Sequence, residues 1–135
     1  MKENRNHKTI YGMKKAMLLA CVLCLLFTSC DMEHIIDYYV VNSYEEPIVI
    51  NYKIYSGNIK SLEIEVNDTV LIHSERFVFG TVGVDHFKDD IAIVDMTIHN
   101  NNNSIPITQN EWRYKKIEKY HAEQYLIIDT TLLRR

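Results

Sequence analysis

The chain predicts an all-β protein: a single antiparallel β-sandwich of about seven strands, preceded by a segment that is removed. Three observations carry that expectation. Apolar and β-branched residues alternate with polar ones at period two in several short stretches, turn-forming residues separate those stretches, and residues 30–135 hold no sustained helical period. There is no internal repeat.

The clearest strand is Pro47–Tyr55, where Ile48, Ile50, Tyr52 and Ile54 share one face and Asn51, Lys53 and Tyr55 the other. Ile35–Val41 precedes it, with Ile36, Tyr38 and Val40 on one face, and the intervening Asn42-Ser43-Tyr44-Glu45-Glu46-Pro47 has the chemistry of a hairpin turn. After Gly57-Asn58, Ser61–Val66 sends Leu62, Ile64 and Val66 inward. Asn67-Asp68 then turns the chain into Thr69–Ser74 and Arg76–Phe79, read as one strand or as two broken by Glu75. Gly80–Asp90 is a loop with room for a short strand at Thr81–Val84. Ile91–His99 is a strand, Asn100–Ser104 a loop tip, and Ile105–Tyr114 a strand with Pro106 near its start, where a missing N–H is tolerated. Lys115–Gln124 reads as a loop or one to two helical turns, because Ile117 and Tyr120 stand three apart and Glu111 and Lys115 four apart. Tyr125–Asp129 closes the domain as a strand, with Leu132-Leu133 as its extension.

The amino-terminal segment has a different composition. Lys14 and Lys15 lead into an apolar run of twelve residues, Ala16–Phe27, followed by Thr28-Ser29-Cys30. A helix needs about 20 apolar residues to span a bilayer core, whereas a signal-peptide core needs about 7–15. The pattern resembles a bacterial lipoprotein signal with its lipobox, although Phe27 stands where that family prefers Leu. The resemblance implies a diacylglyceryl thioether on Cys30, cleavage before it and acylation of the new amino terminus. Met13 is an alternative start to Met1 and leaves the same mature chain. The organisation expected is a signal peptide over 1–29, an anchor and short polar spacer over 30–34, and the sandwich over 35–135.

Removal of 1–29 changes the charge. The full chain carries 15 Lys and Arg against 18 Asp and Glu; the leader holds five of the former and one of the latter, which leaves the remainder at −7. An acidic domain with no basic stripe is repelled by nucleic acid, so nucleic-acid binding is not expected. Cys21 and Cys24 spell C-x-x-C but lie within the discarded run. Cys30 is then the sole mature cysteine, and no disulfide forms within the mature chain.

The order of features is similar to the small all-β lipoproteins abundant in Bacteroidota: Cys30 with Asp31 and Glu33, the Tyr38–Asn42 and Ile48–Tyr55 strands, Asp90-Ile91-Ala92-Ile93, Trp112, and a terminal Tyr125-Leu126-Ile127-Ile128-Asp129. The resemblance implies an immunoglobulin-like or transthyretin-like sandwich, held by lipid in the outer membrane of the cell envelope, with surface display favoured over the periplasmic face. It implies no assigned activity. It also points to O-glycosylation at Asp-Thr sites, here Asp68-Thr69 and Asp129-Thr130.

Few residues suggest chemistry. Asp85, His86, Asp89 and Asp90 share one loop and could ligate a divalent cation, but their spacing fits neither an EF-hand nor a zinc motif. His73-Ser74 cannot pair as base and nucleophile, since adjacent strand residues face opposite ways. No nucleophile elbow or phosphate loop is present. Tyr39, Tyr44 and Tyr55 are candidates for a surface aromatic patch facing a glycan or a protein partner. The expectation is a non-enzymatic accessory, adhesive or ligand-binding module with no cofactor beyond the lipid on Cys30. An inhibitor or immunity-type lipoprotein masking a partner protein is one alternative, and a small metal-binding or hydrolytic domain another.

Overall fold

The computed structural model describes Met17 and residues 32–55, 57–78, 80, 82–100 and 103–134. The expected signal peptide apart from Met17, with Cys21 and Cys24, lies outside the described residues, as do Cys30, where lipidation is expected, Asp31 and Thr81. Met32–Arg135 forms one compact unit.

Eight strands make two four-stranded sheets packed face to face. They are β1 (Glu33–Asn42), β2 (Ile48–Ile54), β3 (Ile59–Ile64), β4 (Thr69–Val78), β5 (Ile93–Asn100), β6 (Asn103–Pro106), β7 (Trp112–Glu118) and β8 (His121–Ile128). One sheet has the order β4-β1-β8-β7 and the other β3-β2-β5-β6. The core lies between them. Ile36, Tyr38 and Val40 of β1 and Ala122, Leu126 and Ile128 of β8 face Ile48, Ile50, Ile64, Met96 and Ile98 of the second sheet, all buried. Burial of each large side chain contributes about 1.5–3 kcal/mol.

Several expectations are corrected. There are eight strands rather than about seven, and the sandwich is not wholly antiparallel, because β1 and β8 run parallel from Ile35↔His121 to Asn42↔Ile128. The stretch 42–47 is not a hairpin turn: β1 and β2 belong to different sheets, and the connection crosses between them. The cause is Asn42, which is fully buried and sends its amide nitrogen to the carbonyls of Glu46, Ile64 and Glu65 at 2.9–3.1 Å, while its oxygen accepts the Tyr44 N–H at 3.0 Å. β1 also begins at Glu33, so Glu33 and His34 belong to the sheet rather than to the spacer.

β4 runs unbroken through Glu75, whose carboxylate accepts hydrogen bonds from the hydroxyls of Tyr38, at 3.5 Å, and of Tyr55. Val66 is exposed, since β3 ends at Ile64 and the chain turns at Val66-Asn67, Asn67 with φ 60°. Val84 enters a 3-10 turn (Val84–Phe87) instead of a strand. Asn100 and Asn103-Ser104 belong to the β5–β6 pairing. The strand expected at 105–114 is two strands parted by a 3-10 turn at Gln109–Glu111. The stretch 115–124 is not helical but forms the β7–β8 hairpin, reversing at Lys119-Tyr120. Finally, Leu132-Leu133 lies in a short helix, α1 (Thr130–Leu133), because Asp129 caps the Thr131 and Leu132 N–H groups at 2.9 Å.

Candidate functional site

The strongest feature is a groove of about 440 Å³ lined by Lys88, Asp89, Ile91, Gln109, Asn110, Trp112, Tyr114 and Gln124. Three parts of the chain build it. The first is the inner face of β7 and β8, where Trp112, Tyr114 and Gln124 fall by alternation and Tyr114 pairs with Gln124. The second is the loop after the Val84–Phe87 turn. The third is the turn that offers Gln109 and Asn110, held by the reciprocal pairing of Thr108 and Glu111: the Thr108 N–H donates to Glu111 Oε2 at 2.5 Å.

Each wall is braced. Gln124 is 1% exposed and donates its Nε2 to the Lys88 carbonyl at 2.9 Å, which fastens the loop to β8. Trp112 meets the Tyr38 ring edge to face, with centroids 5.7 Å apart. The Tyr114 hydroxyl donates to Asp85 Oδ1 at 2.7 Å, and Lys116 Nζ donates to Oδ2 of the same carboxylate. Burial, reinforced by Asp85, pushes the Tyr114 hydroxyl well above its usual range, so it stays protonated as a donor. The hydrogen bonds from Lys116 and then Tyr114 hold the Asp85 carboxyl below the usual carboxylate range. Lys88 and Asp89 offset each other, and the remaining polar lining is amide and hydroxyl. A groove of this make-up offers a half-buried aromatic surface and groups that donate and accept at once.

The sequence-derived candidates are not brought together. Asp85 is committed to Tyr114 and Lys116, the His86 ring packs against Phe87 with centroids 5.1 Å apart, Asp89 lines the groove, and the Asp90 carbonyl takes the Tyr38 hydroxyl at 3.4 Å. Among the described residues no group of three or more His, Cys, Asp or Glu is placed to hold a metal ion. Thr69 opens β4 and Thr130 opens α1, both exposed; Asp68 and Asp129 beside them serve the backbone, through the Thr69 N–H and the α1 cap. Tyr39 stacks on Tyr125 at 5.3 Å on the outer face of its sheet, Tyr44 packs against the core, and the Tyr55 hydroxyl meets Glu75. The three tyrosines thus occupy separate surroundings.

A second polar cluster joins β1 and β4. The Ala92 N–H donates to the Tyr38 hydroxyl at 3.1 Å, and the His73 ring stacks on Tyr38 at 5.8 Å. Burial lowers His73 and raises Tyr38 from their usual values. These bonds knit the sheet to the loop before β5. Sequence reading missed the groove, because its walls come from residues 88–91, 109–114 and 124, which no linear motif joins. The lone tryptophan was the available signal. No protein-family model, curated protein or solved structure matches the chain.

Proposed function

We propose that the protein is a lipid-anchored lipoprotein of the cell envelope whose sandwich binds an uncharged, hydroxyl-rich ligand of the glycan class without transforming it. Acylated Cys30 would hold it in the outer membrane, with display at the cell surface favoured. The observation that carries the ligand-binding reading is the groove beside Trp112. An indole face suits the apolar face of a sugar ring, and Gln109 and Asn110 offer the paired donors and acceptors that neighbouring hydroxyls require, while Gln124 holds the Lys88 loop in place. The offset of Lys88 by Asp89 gives no preference for an ionic ligand. We read the sandwich as transthyretin-like. In immunoglobulin domains the second and third strands lie in different sheets, whereas β2 and β3 are paired neighbours.

Trp112 is the sole tryptophan, so its emission reports on the groove directly. Titration of the purified lipoprotein with maltotetraose, cellotetraose and chitotetraose should give a saturable emission change with at least one of them. That change should vanish in Gln109→Ala/Asn110→Ala. Unaltered emission with all three sugars at millimolar concentration rejects the glycan reading.

A further inference from the structure

We infer that the end of the sandwich where β1 begins is a lipid-facing surface, seated on the phospholipid interface beside the protein's own anchor. The inference rests on the proposed acylation of Cys30. Two residue steps separate Cys30 from Met32, at most about 7 Å of extended chain. An acyl chain in the bilayer therefore leaves this end of the domain no freedom to stand away from the headgroups.

The residues found there suit that position. Glu33 pairs with Val78 across β1 and β4. The Val82 carbonyl takes the His34 Nε2 at 2.5 Å, the Val84 N–H meets the Lys119 carbonyl at 2.8 Å, and the Ile35 N–H meets that of Tyr120 at 2.9 Å. The start of β1, the end of β4, the segment 82–84 and the β7–β8 turn thus converge. They expose Val78 (59%), Met32 (40%), Ile117 (40%) and Val82 (39%), with Lys119 and Arg76 among them. Water gains nothing from four apolar side chains at one end of a small domain, but a lipid interface accepts them while the cations reach phosphate.

The opposite end has the reverse chemistry. Two of its connections, 43–47 and 65–68, hold Glu45, Glu46, Glu65 and Asp68 and no Lys or Arg, while Arg134 follows the short helix after β8. Those four carboxylates are kept from anionic headgroups, whereas at the lipid-facing end exposed Glu33 lies 3.8 Å from Arg76 and exposed Glu118 stands beside Lys119. The seven residues of β7 separate Trp112 from the lipid-facing turn by about 20 Å at ~3.3 Å each, which lifts the groove clear of the membrane.

Single-cysteine labelling tests this on the full-length, processed protein. Acylated Cys30 has no thiol, so Val78→Cys, Ile117→Cys, Glu45→Cys and Val66→Cys each supply the one reactive sulfur for a polarity-sensitive fluorophore. In vesicles of phosphatidylethanolamine and phosphatidylglycerol, labels at 78 and 117 should shift to the blue and be quenched by lipids brominated in their acyl chains. Labels at 45 and 66 should report water. Aqueous emission from all four, with the unsubstituted protein refusing label, overturns the lipid-facing surface and leaves the anchor standing. Uptake of label by the unsubstituted protein removes the anchor, and the inference with it.

Discussion

The Asn42 side-chain nitrogen lies 3.0 Å from the carbonyl oxygen of Ile64, a fully buried bond that ties the end of β1 to the end of β3 in the other sheet. The same nitrogen reaches Glu46 and Glu65, so one amide holds three carbonyls and both connections at that end. Asn42→Leu removes the donor and leaves those carbonyls short of a partner in the interior. Loss of a buried partner costs about 1–3 kcal/mol per group, and a total near 3 kcal/mol is expected here. Urea denaturation should show a lower midpoint with an unchanged slope; a loss under ~1 kcal/mol would show that the connections hold themselves.

His34 is fully buried, with Nε2–H donating to the Val82 carbonyl and Nδ1 lying 3.1 Å from the Met32 carbonyl, and its ring stacks on Phe77 at 5.3 Å with Phe87 and Tyr120 at its edges. His34→Ala opens a cavity among three aromatic rings and frees the 82–87 segment, a combined cost of about 3 kcal/mol. Amide exchange should accelerate most at Val84, whose N–H is held by Lys119. A uniform increase across all strands would contradict a local role.

Burial holds His73 below its usual value, against Glu75, which acts the other way. The unfolded chain therefore takes up this proton before the folded one. Its contribution is fully present above the unfolded value of about 6.5 and is lost as pH falls through the folded value. Stability measured at pH 7.5 and at pH 5.0 should fall less for His73→Gln than for the parent protein. Equal falls would place the acid sensitivity at other groups.

Cys30→Ala removes the proposed acylation site. The variant should accumulate as an unprocessed or soluble form and show no lipid-dependent gel shift. Equal recovery in the membrane fraction would place the anchor elsewhere.

Where alternation was unbroken, the sequence showed the strands: Ile48, Ile50 and Tyr52 are buried as expected, with Ile54 half-buried after a register shift, and Ile36, Tyr38 and Val40 are all buried. Alternation failed at β8. Its inward positions include Ala122 and Gln124, one small and one polar, so the period vanished into an ambiguous stretch. Pairing failed at residues 42–47, because a buried Asn and an exposed turn Asn look alike in a sequence while one crosses between sheets and the other reverses a hairpin. The groove was legible only as Trp112. Its remaining walls are set by long-range register, Tyr114 beside Gln124 above all, and register follows from a topology that local patterning does not encode.

The parallel neighbours β1 and β8 receive and release the chain at opposite ends of the sheet. Tension between a membrane attachment before β1 and a load beyond β8 would slide these strands along each other, straining the whole ladder at once. The same force between Glu33 and His121, at one end, would peel it bond by bond. Single-molecule pulling should record a markedly higher rupture force in the first geometry, which would suit a tethered domain to shear.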